Sequence, residues 1–224
     1  MMNKITRSMA EAIGGIRDGD TVMCGGFGSS GVPFNLIDAL LDHGVRDLTI
    51  IANNAGVGET GLSKLLRENR LRKVICSYPR SPGSVWFERR YEEKAIELEL
   101  VPQGTLAERM RAAGAGLGGF LTPTGYGTQL AEGKRTEVID GVGYVFEQPL
   151  AADVALLRAK QGDRWGNLTF HTAARNFNPV MATAARTVIV EVGQVVELGD
   201  LAPDIIVTPG IFVDHIIEIE PIFP

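Results

Sequence analysis

Short apolar runs of strand length alternate with helical stretches through the first hundred residues, and each run ends on a polar or glycine-rich break. The runs cover 21–25, 48–52, 74–77 and 96–101. Helical spacing of apolar residues covers 8–16, 34–43, 61–68, 85–94 and 106–113. Near-continuous apolar strands need cover on both faces, and strands that alternate with helices supply it from the crossover connections. The expectation is an α/β fold: an open, mostly parallel or mixed sheet with helices on both faces. Pro33 just ahead of one helix and Gly44 just after it mark a start and a stop. Thr60 is the candidate N-cap of the helix at 61–68.

The pattern loosens after residue 113. A Gly/Thr/Pro-rich segment at 114–133 is longer than most connections, which marks it as a functional or mobile loop. Asp140-Gly141 between β-prone runs signals a hairpin. Strands at 155–160 and 167–170 flank a turn at 162–166. A short helix at 178–184, a strand at 187–192 and an extended run at 211–219 follow. No repeat or linker interrupts the chain, so a single domain over 1–224 is expected.

Charge and cysteine usage exclude several function classes. The net charge is −5, and the cluster Arg70, Arg72, Lys73 is too short for a nucleic-acid stripe. Cys24 and Cys76 form no CxxC and have no His at ligand spacing, so neither a metal site nor a disulfide is expected. No apolar run approaches membrane-spanning length, and the first residues lack the apolar core of a signal peptide. A cytoplasmic location is the expectation, with no nucleic-acid or membrane partner.

Glycine is enriched, at 27 of 224 residues against a usual share of roughly 7%. Gly26-Phe27-Gly28-Ser29-Ser30-Gly31 matches GxGxxG between a strand and a helix, which suggests phosphates received at a helix N-terminus. A dinucleotide site also wants an acidic residue at the end of the next strand. Here that strand runs into Asn53 and Asn54, and the first acidic residue is Glu59. Three readings stay open from the residues alone: one chain of an enzyme with a loop-built site, a non-catalytic binding module, and a Rossmann-type NAD-binding oxidoreductase.

Asp18-Gly19-Asp20, then Val22 to Pro33 with its Gly25-Gly26-Phe27-Gly28 core, resembles the first signature of class I coenzyme A transferases. Further stretches resemble that family in order: Asn53-Asn54-Ala55-Gly56, Pro102-Gln103-Gly104-Thr105, Thr122 to Thr128, Ala173 to Phe177, and the ending around Ile206 to Val213. Cys76 to Pro82 and Gly162 to Thr169 resemble the 3-oxoadipate type of α subunit more than the acetoacetate type, although His171-Thr172 departs from the basic pair expected there.

The resemblance implies a two-subunit enzyme moving CoA from succinyl-CoA to a 3-oxo acid, 3-oxoadipate above all, with an acetoacetate or short-chain fatty acid enzyme as the alternative. It implies coenzyme A as substrate, no separate cofactor, and a hetero-oligomer with a β subunit, α2β2 in form. The nucleophilic glutamate of the family belongs to the β subunit, in a Ser-Glu-Asn-Gly motif that this chain lacks; Glu59 and Glu68 stand in other contexts. No catalytic nucleophile is therefore expected here. The substrate-binding set is Gly25, Gly26, Phe27, Gly28, Asn53, Arg80, Gln103 and Gly104. Asn53 and Gln103 follow apolar strands and carry amides able both to donate and to accept. Tyr126 fits either a lid or the core.

Arg80, between Pro79 and Pro82, is the candidate selector for a dicarboxylate acceptor, since a guanidinium fork can hold a distal carboxylate in two bonds. On that expectation Arg80→Ala lowers kcat/KM for 3-oxoadipate by about 10- to 150-fold, the value of one charge-assisted hydrogen bond. Acetoacetate, without a distal charge, is left nearly unaffected. Parallel kinetics with the two acids decide the point: equal effects on both would remove Arg80 as the selector.

Overall fold

The computed structural model describes residues 2–220; residues 1 and 221–224, the outermost of the expected 1–224 domain, lie outside the described residues. Helix α1 (Met9–Ile13) starts at Ser8, whose hydroxyl accepts from the Glu11 N–H. It is followed by β1 (Thr21–Cys24), α2 (Phe34–His43), β2 (Leu48–Asn54), α3 (Leu62–Arg67), β3 (Leu71–Tyr78), α4 (Val85–Glu92), β4 (Glu97–Leu100) and α5 (Gln103–Gly114). Three short strands come next, β5 (Phe120–Thr122), β6 (Thr136–Ile139) and β7 (Val142–Glu147). The chain then runs through β8 (Ala152–Asp163), β9 (Leu168–Thr169), α6 (Asn178–Ala184), β10 (Ala185–Val196) and β11 (His215–Glu218).

Seven strands form a parallel sheet in the order β11-β10-β8-β1-β2-β3-β4, with β9 antiparallel to β8. Alternate residues feed two cores. Val22, Cys24, Ile50, Ala52, Val74 and Cys76 pack with α1 to α4 on one face. Met23, Ile51, Ile75, Ala155 and Leu157 pack with α5 and α6 on the other. This division follows from crossover handedness. From β1 the chain steps outward through β2, β3 and β4, keeping the crossover helices on one side. It then returns to the opposite side of β1, and stepping the other way through β8 and β10 puts α6 on the second face. The reversal at β1 is a topological switch point, where open α/β sheets form their ligand crevice.

Several boundaries differ from the sequence expectation. Helix α5 starts at Gln103 rather than 106, so Gln103 and Gly104 sit in a first helical turn instead of a loop. Strands β3, β8 and β10 run further than their apolar centres because their ends carry polar residues on the sheet, such as Lys73 bonded to Glu99 at 2.6 Å. Helix α3 is capped by Gly61, not by the Thr60 side chain. The run at 211–219 is divided into a 3-10 turn at Gly210–Phe212 and β11. The segment at 114–133 is not wholly loop. It contains β5, which joins the β6–β7 hairpin in a three-stranded antiparallel sheet, and Tyr126 lays its ring against Gly143 of β7. Asp140 and Gly141 both take positive φ, 50° and 78°, as a two-residue hairpin of the expected kind requires.

Arg109 of α5 fastens this small sheet to the large one. Its guanidinium bonds Glu99 of β4 at 2.8 Å and the Gln148 carbonyl at 2.9 Å, and it faces buried Glu147 of β7, which also pairs with Lys134 at 2.6 Å. Burial pushes the Glu99 carboxyl up, but hydrogen bonds and charge from Arg109 and Lys73 outweigh it and hold the group below the usual carboxylate range. A carboxyl lowered in the folded state contributes stability that is present above its unfolded pKa, about 4.3, and is lost as pH falls through the lower folded value. Arg109→Ala should therefore cost about 2–3 kcal/mol at pH 7, with a smaller deficit below about pH 4. Urea unfolding at both pH values measures this, and a deficit independent of pH would assign the effect to packing of the Arg109 stem.

Candidate active site

The crevice at the switch point is a cleft of about 360 Å³ above the carboxyl ends of β1 and β2, walled by the turn after β1, by Asn53 and Asn54, and by Gly56, Val57 and Thr60 to Leu62. The turn is narrow: Phe27 and Ser30 exchange both backbone hydrogen bonds at 3.0 Å around Gly28 and Ser29. Gly28 takes φ +60°, with open space where a Cβ would stand. Gly25 has a different constraint. A Cβ there would collide with Asn178 Oδ1, the atom that accepts the Arg158 backbone N–H at 3.0 Å. Two asparagines, Asn178 at the start of α6 and Asn176 just before it, thus shape the turn from beneath. Asn176 accepts from the Gly26 N–H at 3.1 Å and donates to the Ser30 carbonyl at 3.0 Å, while Asn178 donates to the Gly31 carbonyl at 3.1 Å. The 173–177 stretch is visible in the sequence, but which amide holds which carbonyl depends on β8 and α6 lying beside β1.

On the second wall, Asn53 is buried and spends both N–H bonds of its amide, one on Ser77 Oγ at 3.1 Å and one on Gln103 Oε1 at 3.3 Å. Ser77 returns its own hydroxyl hydrogen to the Asn53 carbonyl at 3.1 Å. The ends of β2 and β3 and the first residue of α5 are therefore one polar unit, and Ser77 is the member that sequence reasoning did not single out. Its signal was position: it stands at the end of an apolar strand, as Asn53 does.

The structure brings Gly25, Gly26, Gly28 and Asn53 to this cleft and joins Gln103 to it through Asn53. Gly104, one residue on, faces a second hollow between α5 and β5 instead. Phe27 flanks the turn opposite Ser30 and is 50% exposed. Arg80 is not brought in: it is exposed, with its guanidinium 6.0 Å over the Tyr91 ring of α4. Among the described residues that line the cleft, none is Asp or Glu. Glu59 and Glu68 are surface carboxylates, both bonded by Arg67. Cys24 and Cys76 are buried free thiols, each pushed up to about 12 by desolvation, which removes them as nucleophiles. Among the described residues no group of His, Cys, Asp and Glu is arranged to hold a metal ion, and no helix is long and apolar enough to cross a membrane.

Residues 6–219 match the family model described as Coenzyme A transferase. The chain belongs to the coenzyme A transferase family. It is of the class I type and corresponds to the first of that enzyme's two chains. Its sequence is 58% identical to the corresponding chain of the 3-oxoadipate CoA-transferase of Pseudomonas putida, over 98% of this chain and 95% of that one. It is 51% identical to the chain of the same name from Acinetobacter baylyi, over 98% and 96%. Among solved structures it resembles an acyl-CoA transferase from E. coli O157:H7 in a thioester complex with CoA, with a TM-score of 0.84 and 25% identity. That match covers all of this chain but 48% of the other, so this CoA transferase chain spans about half the length of that enzyme.

In this CoA transferase chain the two turn glycines should respond differently to a methyl group. Gly25→Ala forces Asn178 aside and unpairs it, costing about 3–5 kcal/mol. Gly28→Ala meets nothing and carries only the left-handed backbone penalty of about 1–2 kcal/mol. Thermal or urea unfolding ranks them, and a larger loss at Gly28 would contradict the packing described.

Proposed function

We propose that the chain is the α subunit of a hetero-oligomer, α2β2 in form, that moves CoA from succinyl-CoA to a 3-oxo acid, with 3-oxoadipate as the acceptor. The observation that carries the two-chain reading is the composition of the cleft: amides and backbone groups at a switch point, with no carboxylate among the described residues of its walls. Transfer through a glutamyl thioester needs a carboxylate nucleophile, and the partner chain supplies it. That glutamate attacks the thioester carbonyl and expels the CoA thiolate, leaving an acyl-glutamyl anhydride. The thiolate then attacks the glutamyl carbonyl and releases the first acid, and the acceptor carboxylate runs the sequence in reverse.

This chain's part is to receive the carbonyl oxygens as they take on charge. Gln103 stands at the first position of a 12-residue helix, whose N-terminal end favours negative charge. With its Oε1 occupied by Asn53, its NH2 is the end left to donate. Closure of the cleft by the partner also shields the reactive anhydride from water. The choice of 3-oxoadipate is supported by the names of the relatives and by the stretches at 76–82 and 162–169 rather than by Arg80, which rests on Tyr91. The two unpaired thiols suit a reducing cytoplasm.

Two results are expected. The isolated chain shows no transfer from succinyl-CoA, and activity appears on adding the partner chain. Within the assembled enzyme, Gln103→Ala lowers kcat by about 10- to 1000-fold while assembly survives. Turnover by the homogeneous isolated chain, or a fully active Gln103→Ala complex, would overturn the respective half of the proposal.

A further inference from the structure

A carboxamide has two ends of nearly equal size and opposite hydrogen-bonding character, so which end faces a ligand is decided by what holds the other. The unit at the ends of β2, β3 and α5 settles this from one hydroxyl. Ser77 Oγ lies 3.1 Å from the Asn53 carbonyl, which can only accept, so the hydroxyl hydrogen is committed there. What Ser77 turns toward the Asn53 side chain is therefore a lone pair, and the end of the amide that meets it at 3.1 Å is Nδ2. The second hydrogen of that NH2 reaches Gln103 Oε1 at 3.3 Å, and Gln103 Nε2 makes no hydrogen bond among the described residues. Reversing the Asn53 amide would place its oxygen against a hydroxyl whose hydrogen is already engaged, and would let Gln103 turn as well.

We propose that Ser77 is a positioning residue: through Asn53 it fixes the Gln103 carboxamide with its NH2 directed to the reacting oxygen. The inference rests on the reading of Gln103 as the donor to that oxygen, given above. It assigns the class of atom the site accepts, an oxygen carrying or acquiring negative charge, because the other orientation would present Oε1 and repel it. It also separates the roles of the two amides, since Asn53 has no N–H left for substrate and Gln103 has two.

The experiment uses the complex assembled with its partner chain and measures kcat and KM for Ser77→Ala, Ser77→Thr, Gln103→Ala and the double variant Ser77→Ala/Gln103→Ala. Ser77→Ala is expected to lower kcat by about 5- to 100-fold, the range for leaving a buried polar group wrongly paired, with KM for the acyl-CoA little changed. Ser77→Thr, which keeps the hydroxyl and suits a strand, restores most of the rate. The double variant is no slower than Gln103→Ala alone, because Ser77 acts only through that amide. Should Ser77→Ala fail to assemble, Ser77→Cys takes its place, with similar volume, a weak donor and the same expected loss. Losses that multiply in the double variant, or a Ser77→Ala complex with normal kcat beside an impaired Gln103→Ala, overturn the inference and leave the donor reading intact. A fully active Gln103→Ala overturns both.

Discussion

The amide of Asn178 occupies the space that any side chain at residue 25 would need, and the geometry of the cleft depends on that exclusion. With no Cβ in the way, Asn178 bonds the Arg158 N–H on β8 and the Gly31 carbonyl at the far end of the turn, so β1, β8 and α6 close around one side chain. Asn176 adds a bond to the Gly26 N–H. The glycines here serve close approach within the protein. A GxGxxG pattern is compatible with that as well as with a nucleotide, which is why the pattern alone does not identify a ligand.

A second constraint lies below the turn. Helix α2 has no side-chain cap of its own, and its Leu36 N–H is received at 3.0 Å by Glu191, which is completely buried on β10. Burial pushes the Glu191 carboxyl up, against the opposing pull of the Leu36 N–H, Arg158 and Asn35. Arg158 Nη1 lies 2.8 Å from it. A buried ion pair is weak evidence for stability, since the desolvation cost rivals the attraction. Its structural effect is to tie the start of α2, and thus the exit of the glycine turn, to β10 on the other side of the switch point.

Elements that carry their own signals were legible in the sequence. Helix α2 and helix α6 begin and end where apolar spacing places them, and the Asp140-Gly141 hairpin follows from two residues that tolerate positive φ. Elements whose ends depend on distant partners were not. Pro102, Gln103 and Gly104 resemble a loop locally, yet the chain is helical from Gln103, with the Pro102 carbonyl accepting the first helical bond from the Leu106 N–H at 2.8 Å. Strand β5 emerges from a Gly/Thr/Pro-rich segment only because β7 supplies its ladder. In the site, Asn53 and Gln103 were visible as strand-end amides. Ser77, Asn176 and Asn178 were not assigned roles, because a small polar residue gains a function only from the neighbour that folding brings to it.

On the function proposed above, the chemistry is divided between two chains: this one holds the amides and the close-packed turn, and its partner brings the carboxylate. The most direct measurement is the site of covalent CoA. The assembled enzyme, incubated with succinyl-CoA without acceptor and then denatured and resolved into its chains, should carry the mass of CoA on the partner chain, bound to a glutamate. This chain should keep its unmodified mass. A CoA adduct on any carboxylate of residues 2–220 would contradict the division of labour and the reading of the cleft built on it.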